Sequence, residues 1–267
     1  MGSSLRIGLL GLGNMGRVIL RKLVAGDLGE YEVILTTDVA ENAQASDYAV
    51  KLGVPFSTKP ADLLGAKLDL VVETASQEAV RTWALQILQS GTSMVVLSVG
   101  ALADSTFYTQ VEDAAIRGSS YLYLPSGAVG ALDVLKAAST DDLHSVRLVT
   151  RKPPTGLSGH EPITGSEPEV IFRGNAGEAA RALPQNLNVA VALALAGVGT
   201  DATQVEVIVD PQAKHNSHHI EAVGSFGRLE LLLENVPSRD NPRTSQLAVL
   251  SALALLRNLH KRVKIGT

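Results

Sequence analysis

The chain contains no cysteine, which excludes disulfides and thiolate chemistry and suits a reducing compartment. It has no excess of positive charge either: 23 Lys and Arg stand against 27 Asp and Glu, a formal net charge of −4. A nucleic-acid partner calls for a basic stripe, so none is expected. No apolar run approaches the roughly 18 residues of a bilayer span, and no membrane association is expected. The first strand-like stretch begins within a few residues of the N-terminus, leaving no room for a signal peptide. Internal repeats and low-complexity segments are missing as well. These absences lead to the expectation of a cytoplasmic globular protein. What is present agrees: 267 residues, 45% hydrophobic and 19% charged, enough for one large domain or two modest ones and ordinary for an enzyme.

The most informative stretch comes first. Residues 7–10 form an apolar run that reads as a buried parallel strand. Gly11-Leu12-Gly13-Asn14-Met15-Gly16 follows as G-x-G-x-x-G, and Val18-Ile19-Leu20 resumes as a helix. In a dinucleotide site the first glycine permits the tight turn, the second lets backbone approach a pyrophosphate, and the third allows close helix–strand packing. The helix start contributes free N–H groups and partial positive charge, so Asn14 and Met15 join the three glycines as cofactor-binding candidates. Alone the motif is weak; here strand, turn and helix surround it in the required order.

Residues 31–38 read as a second strand ending in Asp38, 22 positions beyond Gly16. That is near the spacing at which an acid meets the adenosine ribose hydroxyls; a strand-end turn residue is the alternative. No Lys or Arg occurs between Asp38 and Lys51, so a local cation for a 2′-phosphate is missing, which favours NAD over NADP. Further on, residues 41–51, 78–89 and 106–117 read as helices, and 54–56, 68–74, 94–100 and 121–124 as strands. The alternation implies an α/β fold with a parallel sheet covered on both faces, a Rossmann-type dinucleotide-binding domain. Ligands gather at the carboxyl ends of such strands, making Thr74-Ala75-Ser76, Ser98-Val99-Gly100 and Ser126-Gly127-Ala128 candidates.

Beyond Pro125 the pattern changes to α+β. Residues 131–139, 176–183 and 188–196 read as helices; 146–151, 204–209 and 220–234 read as strands, the last interrupted by Gly224 and Gly227. Residues 152–168 form a Pro- and Gly-rich loop, a lid or merely a long connection. An apolar helix at 242–259 ends the pattern. Three of the six histidines fall at His215, His218 and His219. On an extended segment His218 shares a face with Ile220, Ala222 and Phe226, and His219 with Glu221 and Ser225. A shielded imidazole at 218 suits acid/base work, and a hydrogen-bonded core histidine is the ordinary alternative. A metal site at the three histidines is disfavoured, because strand neighbours point to opposite faces. Asn186 and Asn188 either cap a helix or hold a nicotinamide. Arg151 and Lys152 offer cations to an acidic substrate, as Arg243 does more weakly.

Together these stretches resemble the L-aspartate dehydrogenase family. The resemblance runs through Gly8-x-x-Gly11-x-Gly13-x-x-Gly16, Val71-Val72-Glu73-Thr74-Ala75-Ser76, Leu97-Ser98-Val99-Gly100-Ala101-Leu102 and Pro125-Ser126-Gly127-Ala128-Val129-Gly130. It continues through Thr150-Arg151-Lys152-Pro153-Pro154, Asn186-Leu187-Asn188-Val189-Ala190, Asn216-x-His218-x-Ile220, Gly224-x-Phe226-Gly227 and Asn241-Pro242-x-Thr244-Ser245. It implies that His218 is the catalytic acid/base and that Ala128 and Asn188 contact nicotinamide. It also implies a Rossmann domain over residues 1–125 and 240–267, with an α+β domain like that of dihydrodipicolinate reductase over 126–239. Members are homodimers that use NAD or NADP to oxidise aspartate, a small-molecule substrate, and can feed iminoaspartate into NAD synthesis. The alternatives are a homoserine dehydrogenase or dihydrodipicolinate reductase type of enzyme, or a non-catalytic NAD(P) sensor. His218-His219 fits the reductase, but the Lys and Gly-Thr elements expected after such a pair are replaced by Ile220-Glu221-Ala222-Val223-Gly224-Ser225.

Overall fold

A computed structural model describes residues 4–40, 42–154, 165–183, 188–238 and 244–266. The chain divides into two compact units, Met1–Pro125 with Ala252–Lys264, and Ser126–Ser251 with Ile265–Thr267.

In the first unit, β1 (Leu5–Leu10), β2 (Tyr31–Thr37), β3 (Phe56–Ser57), β4 (Leu70–Glu73), β5 (Ser93–Val96) and β6 (Leu122–Tyr123) form a parallel sheet in the order β3-β2-β1-β4-β5-β6. Between them run α1 (Asn14–Val24), α2 (Ala43–Lys51), α3 (Asp62–Gly65), α4 (Gln77–Gln89) and α5 (Ser105–Gly118). All four residues of β4 are buried, as a strand covered on both faces requires. Ile7, Leu9, Ile19, Leu20, Val72 and Val95 form the core with Ala252 and Leu256 of the last helix, α9 (Gln246–His260). Tyr31 fastens that helix by donating its hydroxyl to the Leu256 carbonyl at 2.8 Å and meeting His260 edge-on. The Rossmann order reverses at β1 and β4, so the loops after these strands diverge and leave a crevice at their carboxyl ends. The strand expected over 94–100 stops at Val96, and a 3₁₀ turn takes up Val99–Ala103. The Leu97 N–H is shared between the Glu73 backbone carbonyl and its carboxylate, and the Ser98 N–H turns to the carboxylate, where the ladder ends.

The second unit holds a mixed sheet in the order β11-β10-β7-β9-β8, built from β7 (Leu143–Lys152), β8 (Glu169–Asn175), β9 (Gln204–Val209), β10 (Asn216–Gly224) and β11 (Gly227–Asn235). Only β7 and β9 run parallel. α6 (Leu132–Ala138), α7 (Ala176–Ala182) and α8 (Asn188–Ala196) share a core with Val146, Leu148, Val205, Val207, Ile220 and Ala222 on one face of this sheet. Residues 220–234 are not one interrupted strand but two strands of a hairpin. Ser225 and Phe226 form its turn, with Gly227 at φ +112°, so neither belongs to a strand face. Edge strand β8 lies where no strand is expected, because a register shift between Val170 and Phe172 breaks its alternation. The chain returns to the first unit inside α9, at Ala252, rather than at residue 240. Residues 155–164 of the long loop, and Asn241 and Pro242 before α9, lie outside the described residues. Among those described, no helix is long and apolar enough to cross a membrane.

Candidate active site

The glycine loop separates into positions the protein needs and one it leaves open. Gly11 sits at φ +99°, and a Cβ there would lie 2.7 Å from the Ala75 nitrogen. A Cβ on Gly16 would strike the Gly11 carbonyl oxygen and the Thr74 hydroxyl, which themselves hydrogen-bond at 2.6 Å. Gly13 differs: its φ is −66° and a Cβ would meet nothing within 4 Å. It is the N-cap of α1, with no side-chain cap and no acid in the first turn. The N–H groups of Asn14, Met15 and Gly16 therefore begin the helix with no capping side chain and their positive end uncompensated. Room for backbone approach, together with these donors, fits a pyrophosphate.

Asp38 braces this loop. Its Oδ2 accepts the Leu12 N–H at 2.7 Å and the Asn42 side-chain amide at 2.8 Å, and its Oδ1 accepts the Val39 N–H at 2.7 Å. A carboxylate has about four acceptor sites, so one remains for a ribose hydroxyl. Ser76 spends its hydroxyl as the N-cap of α4, accepting the Ala79 N–H at 3.1 Å. Ala75 packs on Gly11 and donates its N–H to Glu73 at 2.7 Å. Glu73 is fully buried and also takes the N–H groups of Leu97 and Ser98 and the Ser98 hydroxyl. Burial pushes its carboxyl up from the ordinary range, against the pull of these donors. It thereby ties the loops after β4 and β5 together, a role its place in an apolar run does not reveal.

In the second unit the apolar face of the sheet turns polar at one end. Along β7, Val146 and Leu148 are followed on the same face by Thr150 and Lys152, all buried. On β10, His218 pairs directly with Thr150 and is only 4% exposed. Its Nδ1 is hydrogen-bonded to the Thr150 hydroxyl at 3.0 Å, which fixes the ring and leaves Nε2 for other chemistry. Burial, helped by the nearby Lys152 charge, lowers the imidazole to about 4, so it is neutral at neutral pH. Burial likewise brings the Lys152 ammonium down to about 8. Asn216 lies two residues before His218, and its buried Oδ1 has no partner among the described residues. Asn235, opposite Asn216, donates to the Ala128 carbonyl at 3.0 Å and accepts the Ser245 hydroxyl at 2.8 Å. Ala128 is thus drawn to the same end of the sheet as His218. Asn235 and the Thr150 contact escape sequence reasoning because they depend on strand register.

Other candidates are separated. Arg151 points to the opposite face from Lys152 and pairs with Asp210 at 2.8 Å. His219 also faces away from His218, toward Glu230 at 3.0 Å. With Glu221 these two groups place ligand atoms within 4.8 Å of one another, but Arg147 and Arg228 already pair with the carboxylates. Asn188 opens α8; Asn186 and Arg243 lie outside the described residues.

The C-terminal family model of aspartate dehydrogenase matches residues 133–259, and the NAD-binding-domain model of homoserine dehydrogenase matches residues 11–125. The L-aspartate dehydrogenase of Methanocella arvoryzae is 41% identical over 98% of this chain and 99% of its own. That of Nitrosopumilus maritimus is 39% identical, again over 98% of this chain and 99% of its own. The crystal structure of aspartate dehydrogenase from Thermotoga maritima superposes with a TM-score of 0.78 at 30% identity, covering 99% of this chain and 100% of that one. With identity sustained over nearly the whole length of both proteins, the chain belongs to the L-aspartate dehydrogenase family.

Proposed function

We propose that this protein oxidises L-aspartate with NAD(P) to iminoaspartate, which water converts to oxaloacetate and ammonia, and that His218 carries the proton. The observation that supports this reading most is the setting of His218: a buried, neutral imidazole held by Thr150 beside a buried ammonium. Bound NAD(P) supplies the hydride acceptor. Gly11, Gly13, Asn14, Met15 and Gly16 hold its pyrophosphate, Asp38 an adenosine hydroxyl, and Ala75 and Ser76 border the cofactor at the end of β4. Ala128 and Asn188 orient the nicotinamide.

Lys152 binds a substrate carboxylate, and burial strengthens that pairing. The side-chain oxygen of Asn216 accepts an N–H from the α-ammonium. His218 Nε2 takes one proton from that ammonium, and the freed lone pair forms the C=N bond as hydride leaves Cα. One ammonium thus becomes one iminium, with one hydride and one proton transferred. The two substrate carboxylates favour this step, since negative charge beside the imidazole offsets the lowering by Lys152. Arg151, held by Asp210 on the other face, takes no part.

The test is a substrate panel. Purified protein is mixed with NAD or NADP and with L-aspartate, D-aspartate or L-homoserine, while absorbance of the reduced cofactor is followed. Reduction with L-aspartate and not with L-homoserine is expected. Reduction with homoserine alone replaces the reading, and cofactor binding without turnover on any amino acid makes the protein a sensor. The family resemblance and the cysteine-free composition support a cytoplasmic homodimer; a monomeric mass in light scattering removes the dimer.

A further inference from the structure

On three adjacent strands the core face ends in polar groups, and they end side by side. Leu229, Leu231 and Leu233 of β11 pack against the core, and Asn235 follows on the same face, buried. Asn235 pairs with Asn216 across the register, and Leu233 pairs with His218. His218, Lys152 and Asn216 serve the substrate in the proposed chemistry. Asn235 turns to backbone instead.

Both ends of its carboxamide are committed. Oδ1 accepts the Ser245 hydroxyl at 2.8 Å, and Nδ2 donates to the Ala128 carbonyl at 3.0 Å. Ser245 in turn accepts the Leu247 N–H at 3.1 Å, which anchors the amide to the first turn of α9. On the other side of Ala128, the Gly127 N–H donates to the Ser251 hydroxyl at 3.0 Å, and that hydroxyl is tied to the Ala248 carbonyl. The segment around Ala128 is thus fastened twice, once to β11 and once to α9. The Ala128 N–H between these anchors has no partner among the described residues. Gly127 stands at φ +66° and Ala131 at φ +63°, the second a conformation that side chains rarely adopt and that its surroundings must impose. Gly130 lies against β11, where a Cβ would come within 3.3 Å of the Leu231 side chain.

We propose that Asn235 is a positioning residue: by holding the Ala128 carbonyl it presents the Ala128 N–H to the carboxamide oxygen of nicotinamide and so sets the ring for hydride transfer. The proposal rests on the reading in which Ala128 contacts nicotinamide. Ser251 supports the same segment from the helix side. Neither residue touches the adenosine half of the cofactor, so their effect is confined to the nicotinamide half.

The experiment compares NADH with ADP-ribose, which lacks only the nicotinamide, by calorimetric titration of the wild type, Asn235→Asp and Ser251→Ala. Melting temperatures and the kcat and KM for L-aspartate are measured on the same samples. Asn235→Asp keeps the shape but sets an acceptor against the Ala128 carbonyl. It should weaken NADH about tenfold or more and lower kcat by a similar factor. ADP-ribose should shift less than about threefold. Ser251→Ala frees only the Gly127 N–H and should weaken NADH about threefold with the melting temperature nearly unchanged; should Asn235→Asp fail to fold, the same ratio of NADH to ADP-ribose in Ser251→Ala decides. Equal weakening of both ligands overturns the proposal, since the substitutions then loosen the protein as a whole. Unchanged NADH affinity and kcat overturn it too, because the amide then only satisfies a buried carbonyl. In either case a wild type that oxidises L-aspartate leaves the dehydrogenase reading standing, whereas a wild type without that activity removes the reading and the proposal together.

Discussion

The two sheets prepare for chemistry by different means. In the six-stranded sheet the work falls to backbone: a turn at Gly11, open space at Gly13, and uncapped N–H groups at the start of α1. In the five-stranded sheet it falls to side chains at one end of a buried face, where Thr150, Lys152 and His218 continue the row that begins with Val146 and Leu148. Backbone suits a phosphate, whose charge is fixed and whose recognition needs only donors and room. Proton transfer needs a group whose charge changes, and its pKa is set by how deeply it is buried. The comparison teaches that one buried face of a sheet can be apolar core at one end and carry titratable side chains at the other.

The sharpest break between the two regions lies in His218→Ala. Turnover with L-aspartate is expected to fall about 10²- to 10⁴-fold, the usual worth of an acid/base group, while NADH affinity measured by fluorescence stays nearly constant. Equal loss of both would make His218 a structural residue. Lys152→Met should instead raise the KM for aspartate by about tenfold or more, as loss of a charge-assisted contact does. The same substitution should abolish any fall in kcat/KM above about pH 8, where Lys152 gives up its proton.

The glycine loop gives a contrast of its own. Gly13→Asp adds an N-cap that α1 lacks, so the melting temperature should hold or rise. Its carboxylate occupies the phosphate position, and NADH affinity should drop at least about tenfold. Gly11→Ala should lose about 1–3 kcal/mol of stability in denaturant melts, because a positive φ and the Ala75 backbone both oppose a side chain. Matching stability losses in the two variants would erase the distinction between packing and ligand space.

The last effect concerns acid. In the folded protein His218 titrates near 4, below the 6.5 of an unperturbed imidazole. Between these values the unfolded chain binds more protons than the folded one, so stability is lost as pH falls from about 6.5 toward 4. The loss is at most about 3 kcal/mol, and denaturant titrations of His218→Gln at pH 7 and pH 5 should show that component gone.

Much of this was legible in residue order. Local chemistry sufficed for the glycine motif, the alternation of strand and helix through residue 124, and the helix at 188–196. The choice of His218 over His219 drew on strand periodicity, and the structure puts the two on opposite faces as a period of two demands. Arg151 and Lys152, adjacent and alike in charge, look interchangeable in sequence, yet pleating sends one to Asp210 and the other into the core. Glu73 and Asn235 gave no signal, because their partners lie on other strands and loops.

By itself the sequence determined the fold class, the place of the dinucleotide turn and the family, since each follows from short-range pattern or from identity sustained along the chain. Only the tertiary structure decided that Asn235 holds the Ala128 carbonyl, that Thr150 holds the imidazole, and that burial lowers both His218 and Lys152. Contacts between distant segments and loss of water arise from packing, and no local stretch of residues encodes either.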